Sequence, residues 1–367
     1  VGLVDDPSLL VEVGAGTFGL DLESRLRDEH GLTLGHWPQS IDLSTVGGWV
    51  ACRGAGQYSN RYGKIEDMVT GLEVVLADGR ILRTGQVGPR SATGPDLTQL
   101  FVGSEGTLGV ITSAQLRVWP LPPAERRSAW GFDTFEAGLD ACRRILRRGA
   151  TPAVLRLYDE TESARHFDTG DRCVLVVVDE GDPVLVDGVE QVVRAECGRA
   201  ESLAPELCER WLAHRNEVAS LESLAQAGIV ADTVEVAAPW AQLDAIYRRS
   251  LDALGALDGT LAASAHQSHA YPDGACLYFT FAGRPAADRR DAYYRQAWDA
   301  VVSATMAAGG ALSHHHGVGL NRARHMATAL GGGLAVLQAV KDALDPHGIL
   351  NPGKLGLASP FGPAPWP

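Results

Sequence analysis

The sequence of 367 residues predicts an α+β fold, with helices packed on sheets of mostly antiparallel strands. Short apolar or alternating runs, bounded by glycine or proline, recur along the chain and are typical of strands. Longer amphipathic runs with helical spacing lie between them. A proline-rich segment at Pro120–Pro123 marks a change of pattern, and we predict a domain boundary there.

Before this boundary the chain alternates between strands and helices. The helix at Phe18–His30 should end at Gly31, because glycine readily takes the left-handed conformation of a helix end. The tight turn Ala77–Arg80 joins two strands as a hairpin. The remaining predicted elements are strands at Leu9–Val13, Gly71–Leu76, Ile81–Thr84 and Gly109–Pro120, and a helical turn at Asp96–Phe101.

After the boundary, strands and helices follow one another as in a sheet covered by helices. Asp182 and Pro183 begin one helix, because both residue types favour a helix N-terminus. The predicted strands are Ser128–Phe132, Val154–Tyr158, Cys173–Val178, Asp232–Ala237, Gly259–Ser264 and Ala275–Ala282. The predicted helices are Thr134–Arg148, Pro183–Cys197, Ala238–Leu254, Ala286–Ala308 and Leu330–Leu344.

Composition narrows the functional class. A net charge of −13 argues against non-specific nucleic-acid binding. Six scattered cysteines without paired spacing indicate reduced thiols in a cytoplasmic protein. The sequence has no apolar run of about 18 residues, so we predict no membrane span.

Two glycine-rich clusters, Ser44–Gly56 and Gly103–Gly109, flank the strand pair and mix glycine with serine and threonine. Glycine lets the backbone approach a ligand closely, and free N–H groups can hold an oxyanion. One such cluster would be read as loop glycines. Two clusters in this arrangement predict a cofactor cradle.

Three other features of the sequence are candidates for catalysis or ligand binding. His314, His315 and His316 precede Gly-Val-Gly and could be metal ligands or acid–base groups, but neighbouring side chains point to opposite faces, so at most two can serve one site. Arg156 lies in an apolar strand, where an arginine needs a partner. That partner is either one of the carboxylates Asp159, Glu160 and Glu235 or an anionic substrate. On pattern alone, Tyr278 would be a core aromatic.

These motifs resemble a known family. The segments P-Q-S…S-T-V-G-G-W-V-A-C-R-G-A-G and G-S-E-G-T-L-G-V-I-T resemble the flavin-binding domain of the vanillyl-alcohol oxidase/p-cresol methylhydroxylase (PCMH) superfamily. The segments P-A-V-L-R-L-Y-D, A-P-W, Y-P-D-G-A-C-L-Y-F-T-F and L-S-H-H-H-G-V-G resemble alkyldihydroxyacetonephosphate synthase and its bacterial relatives. The motifs keep the family's order over most of the chain.

The resemblance implies a PCMH-type FAD-binding domain and divides the chain into three segments. Residues 1–122 would be the C-terminal part of this domain, 123–310 the substrate (cap) domain, and 311–367 the His-triplet segment and a C-terminal helix returning to the flavin domain. The family's FAD-diphosphate loop, an R-G-G-G-T-S-type segment, is expected to precede Val1. We therefore expect an N-terminally truncated chain.

The resemblance also implies which residues hold FAD. Glu105 would bond a ribose or ring edge, or cap a local turn, and both alternatives stay open. The cofactor-binding residues are predicted to be His36, Pro38, Ser40, Ser44, Thr45, Gly47, Gly48, Trp49, Ala51, Cys52, Gly103, Ser104, Glu105, Gly106, Thr107 and Leu108.

For catalysis, the resemblance makes Tyr278 the proton donor and acceptor, with His314, His315 and His316 supporting turnover. A phenol with a pKa of about 10 would need a neighbouring imidazole or cation to work near neutral pH. Arg156 would act in the site, and Arg215 would bind substrate phosphate. His266 and His269 face either the site or the surface.

A metal is not predicted. Related D-2-hydroxyacid dehydrogenases hold a divalent metal with a Glu-His-Gly motif and an upstream H-x-G-D-G-N-x-H motif. Here His315-His316-Gly317 replaces the first, and S-H-A-Y-P-D-G-A-C-L-Y stands in place of the second, so a carboxylate and an imidazole are missing.

The predicted function is an FAD-dependent exchange of the acyl group of acyl-dihydroxyacetone phosphate for a fatty alcohol, in ether lipid synthesis. The alternatives are an FAD-linked D-2-hydroxyacid dehydrogenase or oxidase, and a truncated remnant without catalysis. The expected partners are a lipid-like phosphate substrate, a fatty alcohol, a membrane surface contacted peripherally and a second copy in a homodimer, with no nucleic acid. The expected location is the cytoplasm, at the membrane periphery.

Overall fold

The structure, a computed structural model, describes residues 1–85, 88–216 and 224–362. By backbone packing these residues divide into two compact units. The first unit comprises Val1–Gly56, Tyr62–Leu121 and the chain from His315 onward, and the second comprises Gln57–Arg61 and Pro122–His314. Residues 363–367, the end of the predicted segment 311–367, lie outside the described residues.

Strands and helices follow one another along both units. In chain order the strands are β1 Val4–Asp5, β2 Leu10–Gly14, β3 Leu32–Thr33, β4 Val69–Val75, β5 Ile81–Arg83, β6 Val110–Arg117, β7 Trp119–Pro120, β8 Ala124–Phe132, β9 Val154–Tyr158, β10 Cys173–Gly181, β11 Glu201–Leu203, β12 Val230–Pro239, β13 Thr260–Ala270 and β14 Gly274–Gly283. The α-helices are α1 Gly19–His30, α2 Val46–Cys52, α3 Ser59–Tyr62, α4 Ile65–Met68, α5 Leu97–Phe101, α6 Phe135–Arg147, α7 Glu160–Phe167, α8 Pro183–Glu196, α9 Glu206–His214, α10 Trp240–Gly255, α11 Arg290–Ala307, α12 Met326–Leu330 and α13 Gly333–Leu344.

The first unit is built on a five-stranded antiparallel sheet in the order β1-β2-β6-β4-β5. Val11 and Val13 alternate along β2 and are fully buried, as expected when one face of a strand covers the core. The helix α1 ends at Gly31 with φ +65°, so the predicted helix end is confirmed.

The first glycine-rich cluster differs from the prediction. Instead of presenting a run of free N–H groups, its centre folds as the helix α2, capped by the Thr45 hydroxyl, which accepts a hydrogen bond from Gly48 N. The amide of Gly47 donates to Ala15 O at 2.8 Å. A Cβ at Gly47 would lie 2.7 Å from the Ala15 Cβ, so this glycine permits close packing of the helix on the preceding turn.

The second unit contains a seven-stranded sheet in the order β11-β8-β10-β9-β13-β14-β12, antiparallel throughout the described ranges. Every residue of β10 is buried, so both faces of the central sheet are covered. The predicted strands are present, but β13 continues to Ala270 rather than ending at Ser264. Sequence reasoning missed α7 and α9. The α+β prediction is confirmed.

We find no candidate for a membrane-spanning helix among residues 1–85, 88–216 and 224–362. None of the helices there combines the length and the apolar character that a bilayer crossing requires.

Candidate functional site

A bulge in β13 brings two histidines to one face of the second unit's sheet. The register shifts between Gln267 and His269, so that His266 lies opposite Tyr278 and His269 lies opposite Cys276. Residues that face each other across antiparallel strands point to the same side. Since Cys276 and Tyr278 are two residues apart, His266 and His269 share that side although they are three residues apart.

The same face carries the predicted arginine and tyrosine. Tyr158 on β9 lies opposite His266, and Arg156 lies two residues earlier on the same strand. Glu235 on β12 lies opposite Tyr278. The register therefore gathers Arg156 and Tyr278, both predicted from sequence, around His266, whose orientation the sequence left open.

His266 links Arg156 to a buried carboxylate. Arg156 Nη2 lies 2.6 Å from His266 Nε2, and His266 Nδ1 lies 2.7 Å from Glu162 Oε2. Arginine can only donate, so Nε2 must be the acceptor of this hydrogen bond. The proton of the imidazole therefore sits on Nδ1 and is donated to Glu162. The network fixes the tautomer of His266.

The charges of this network follow from burial and from its neighbours. Burial, and next the positive charge of Arg156, lower the pKa of His266 to about 4, so the imidazole is neutral near pH 7. Burial tends to raise the pKa of Glu162, but His266, Arg165 and the Thr280 hydroxyl outweigh it and lower this pKa. Glu162 is therefore ionised while only 1% exposed.

The sequence signal for Glu162 is a helix-capping pattern that begins at Asp159. Asp159 caps α7, with Oδ1 accepting from Glu162 N at 2.8 Å and Oδ2 accepting from Ala265 N at 2.6 Å. An Asp followed three residues later by Glu is typical of a helix start. Because α7 begins at this cap, the side chain of Glu162 points into the interior. The same Asp–Glu pattern could have predicted the boundary between strand and helix at Tyr158–Asp159.

Arg156 has no ion pair with any carboxylate in the part of the chain that the structure describes. The predicted alternatives Asp159, Glu160 and Glu235 are therefore not its partners. Its guanidinium carbon lies 5.4 Å from the ring centroid of Tyr158 and 5.8 Å from that of Trp211. Its Nε is buried and has no hydrogen-bond partner among the described residues. A cation that is held by a neutral imidazole and aromatic rings can still take up an anion.

Arg215, the predicted phosphate ligand, lies beside the same indole. Its guanidinium carbon is 5.8 Å from the ring centroid of Trp211 and 5.0 Å from that of Tyr58. Gln57 Nε2 donates to Arg215 O at 3.2 Å, which ties this end of α9 to the segment Gln57–Arg61. Trp211 and Arg215 are one helical turn apart, a spacing that could have identified Trp211.

Tyr278 stacks on His266, with ring centroids 4.8 Å apart and planes 17° apart. Its hydroxyl accepts a hydrogen bond from Thr233 Oγ1 at 3.1 Å. Burial is the main cause that raises the pKa of Tyr278 to about 12. We expected this phenol to have a neighbouring imidazole or cation. The charge of Arg156 does act to lower the pKa of Tyr278, but burial outweighs it, and the His266 ring lies against the face of the phenol ring.

A second polar cluster in this unit contains His314. Tyr271 Oη lies 3.0 Å from His314 Nε2, and the His314 ring stacks on His269 at 4.8 Å. Ser59 Oγ lies 2.7 Å from His269 Nδ1. Buried Glu235 accepts from the backbone N–H of His314 and from Ser313 Oγ. His269, left open by the sequence, is thus a buried partner of Ser59.

His315 and His316 belong to the first unit. Their rings pack edge to face, with centroids 4.4 Å apart, and His316 is exposed while His315 is half-buried. The three consecutive imidazoles therefore have different surroundings. This agrees with the expectation that neighbouring side chains cannot all point to one place.

The loop 103–108, which we call the flavin loop, is tied to the end of α2. Gly103 N donates to Val50 O and Glu105 N to Ala51 O, both at 2.9 Å. Gly103 has φ +79°, and a Cβ there would lie 2.5 Å from the Arg53 side chain. Only glycine meets both conditions without strain. The flavin loop and the end of α2 are thus joined through their backbones.

Two predicted cofactor residues carry buried polar atoms that have no partner among the residues that the structure describes. His36 is 1% exposed, yet neither ring nitrogen has a hydrogen-bond partner within the described ranges, and burial lowers its pKa to about 3. Ser104 Oγ is likewise buried and finds no partner in that part of the chain. Such atoms normally find a partner, and the polar edges of FAD could supply one. The residues present therefore fit the predicted cofactor.

Other predicted cofactor residues mainly support one another. Ser44 Oγ donates to Ser40 O at 2.8 Å and accepts from Trp49 Nε1 at 2.7 Å. The Trp49 ring lies 4.6 Å from that of His36. The carboxylate of Glu105 accepts hydrogen bonds from the backbone N–H groups of Val318 and Gly319. These groups lie more than 200 residues further along the chain, so Glu105 does not cap a local turn, and its contact with a ribose or ring edge stays a prediction.

Comparison with known proteins gives two family matches. Residues 121–355 match the family described as FAD linked oxidases, C-terminal domain, and residues 2–85 match an FAD binding domain. The first match alone covers more than half of the chain. Both matches agree with a cofactor cradle followed by a second domain.

Individual relatives include more than one activity. An uncharacterized FAD-linked oxidoreductase of Escherichia coli K12 is 33% identical, over 91% of this chain and 72% of the relative. The alkyldihydroxyacetonephosphate synthase of Caenorhabditis elegans is 31% identical, over 96% and 65%. The glycolate oxidase subunit GlcD of Bacillus subtilis is 27% identical, over 96% and 76%. A solved alkyldihydroxyacetonephosphate synthase matches with a TM-score of 0.79 at 27% identity, covering 96% of this chain and 66% of that one.

Proposed function

Because the chain belongs to the family of FAD-linked oxidases and is an FAD-dependent enzyme, we propose that it acts as a synthase of the alkyldihydroxyacetonephosphate type. In this reaction a fatty alcohol replaces the acyl group of acyl-dihydroxyacetone phosphate, and a fatty acid is released. The observation that carries the proposal is the arginine Arg156, which lacks an ion pair among the described residues and lies over the same indole, that of Trp211, as Arg215.

A pair of guanidiniums suits a phosphate substrate. Arg156 and Arg215 lie at equal distances, 5.8 Å, from the ring centroid of Trp211. A phosphate monoester offers three oxygens and close to two negative charges, and so can accept hydrogen bonds from both side chains. A single carboxylate has only two oxygens, and one arginine can bind both of them. The similarity to synthases at about 30% identity supports the same choice.

The proposed roles of the other side chains follow from their protonation. FAD supplies a ring system that can accept and return an electron pair. Tyr278, with its raised pKa, remains a phenol near pH 7, so it can donate a proton to the departing fatty acid and then take one from the alcohol. Glu162 and His266 hold Arg156 in one orientation. We propose that the lipid substrates arrive from a membrane surface contacted peripherally, on the cytoplasmic side.

The second candidate is an FAD-linked D-2-hydroxyacid dehydrogenase. The 27% identity to a glycolate oxidase subunit favours it. In that reaction Arg156 would bind the substrate carboxylate, and two electrons would pass to FAD. The two candidates differ in net redox change, because the synthase reaction leaves the oxidation state of FAD unchanged.

Anaerobic mixing separates the candidates. The protein with FAD bound is mixed with acyl-dihydroxyacetone phosphate and a fatty alcohol, and in a second sample with D-lactate or D-2-hydroxyglutarate. The synthase predicts an ether product in the first sample and an unchanged flavin absorbance in the second. Bleaching of the oxidised flavin band by a hydroxyacid, with no ether product, would make the dehydrogenase the correct function.

The role of Arg156 can be tested with Arg156→Gln. Loss of a charge-assisted contact to phosphate should raise KM about 10- to 100-fold. Arg210→Gln is the control, because Arg210 lies on α9 next to Trp211 but pairs with the exposed Asp168 at 3.3 Å. Equal kinetics for both variants would remove Arg156 from the substrate site.

A further inference from the structure

Glu105 occupies an unusual position in the flavin loop. It has φ +48°, a left-handed conformation that costs a residue with a Cβ about 1 kcal/mol or more. Its N–H donates to Ala51 O at 2.9 Å, and its own carbonyl accepts from Asn351 Nδ2. The backbone of this residue is thus held on both sides. The fixed backbone of Glu105 holds its side chain toward Val318 and Gly319.

The carboxylate of Glu105 fills a backbone concavity at Gly317–Gly319. It accepts a hydrogen bond from Val318 N, and its Oε2 accepts from Gly319 N at 3.1 Å. Gly317 has φ +77° and Gly319 φ +53°, the kind of geometry in which successive N–H groups converge on an anion. A Cβ at Gly317 would lie 2.6 Å from Glu105 Oε1, so no larger residue fits.

We infer that Glu105 is a positioning residue that fastens the segment His315–Gly319 to the flavin loop. The N–H groups of Val318 and Gly319 are already engaged by this carboxylate, so the Gly-Val-Gly motif serves as an anchor for an internal anion. The imidazoles of His315 and His316 immediately precede that anchor. The inference rests on the proposed function in one respect, namely that His315 and His316 are counted as site residues.

Later segments of the chain reinforce the same two loops. Arg322, 3% exposed, donates to Gly317 O at 3.2 Å. Lys341, 2% exposed, donates to Thr107 O at 2.8 Å and pairs with Asp345. The flavin loop and the histidine segment are therefore both held from the C-terminal side. The side chain of Glu105 joins them directly.

Hydrogen exchange of the Val318 and Gly319 amides tests the inference without any substrate. Three variants are compared with the parent protein, each as the full chain with FAD. Glu105→Asp keeps the charge but shortens the side chain by one methylene. Glu105→Gln keeps the length but removes the charge. Glu73→Gln is the control, since Glu73 makes comparable bonds to Arg83 and Thr112 elsewhere in the first unit.

The anchor predicts faster exchange in both Glu105 variants. Loss of hydrogen bonds to a charged acceptor should speed exchange of these two amides about tenfold or more, with no change in the control. The dissociation constant of FAD should rise in the same two variants. Unchanged amide exchange in Glu105→Asp and Glu105→Gln would overturn the inference. Neither result bears on the choice between synthase and dehydrogenase.

Discussion

At the residue scale, the chemistry of the candidate site is set by which groups carry protons. His266 is neutral because burial and Arg156 oppose its charge, and Tyr278 is a phenol because burial raises its pKa to about 12. Arg156 retains its charge and has a neutral hydrogen-bond partner. These charges support our proposal that the site receives an anion and that Tyr278 transfers a proton.

The role of Tyr278 is tested by Tyr278→Phe. The substitution removes the hydroxyl and keeps the ring that stacks on His266, so we expect normal flavin content and loss of product formation. Flavin absorbance and the rate of ether formation are the two measurements. If product still forms at the parent rate, Tyr278 does not transfer the proton.

His36 should make the stability of the FAD-free protein depend on pH. Its pKa is about 3 in the folded chain and about 6.5 in an unfolded one, so between these values the unfolded state binds the extra proton. The free energy of unfolding should therefore fall as pH falls below about 6.5, by up to about 1.4 kcal/mol per pH unit from this group.

Urea unfolding at pH 7 and pH 5 measures this effect. In His36→Gln the difference between the two pH values should be smaller than in the parent, because glutamine does not titrate in this range. A pH dependence identical to that of the parent would show that His36 is not buried as a neutral imidazole.

At the element scale, two local devices build the polar face of the second unit. The bulge in β13 turns His266 and His269 to the same side, and the Asp159 cap begins α7 so that Glu162 reaches His266. Regular alternation along β13 would have placed the two histidines on opposite faces. Neither device needs an unusual residue type.

Two helix glycines with different surroundings, Gly138 in α6 and Gly188 in α8, are expected to have opposite effects on stability when each is replaced by alanine. A Cβ at Gly138 would lie 2.5 Å from the Leu157 side chain, which is fully buried. Gly138→Ala should lower the free energy of unfolding by about 1–3 kcal/mol through overpacking. A Cβ at Gly188 in α8 would have no atom of the described residues within 4 Å, so Gly188→Ala should raise the free energy of unfolding by about 0.5–1 kcal/mol.

Chemical unfolding midpoints of the two variants measure this difference. Both substitutions add the same methyl group to a helix interior, so helix propensity cancels from the comparison. If Gly138→Ala is as stable as Gly188→Ala, Leu157 can move aside and the contact between α6 and β9 is looser than the structure indicates.

At the scale of the whole molecule, the described residues form two compact units, and we propose that they have different roles. The first contains the predicted FAD residues and is completed by the chain from His315 onward. The second contains the arginine and tyrosine face. A ligand that binds one folded unit stabilises that unit by mass action.

Calorimetry with added FAD tests this division. FAD at about 100 times its dissociation constant should add about 2.7 kcal/mol to the stability of the unit that binds it. Gly103→Ala should abolish the response, because a Cβ there meets Arg53 at 2.5 Å. Gly79→Ala, which also has positive φ but open space around it, is the control. An unaltered FAD response in Gly103→Ala would place the cofactor elsewhere.

Local sequence signals predicted the elements that depend on neighbours in the chain. The end of α1 at Gly31, the cap of α8 by Asp182 and most strands could be predicted, because capping and alternation act within a few residues. The helix α2 was missed, since its two glycines are poor helix formers and packing on Ala15 outweighs that cost.

The sequence by itself determined the α+β fold, the FAD-dependent family and Arg156 and Tyr278 as residues of interest. Only the tertiary structure decided the partners: His266 for Arg156 and for the ring of Tyr278, Glu162 for His266, and the backbone at Gly317–Gly319 for Glu105. These partners lie as many as 214 residues apart along the chain. Contacts at that separation depend on sheet register and packing, and no local pattern of residues records them.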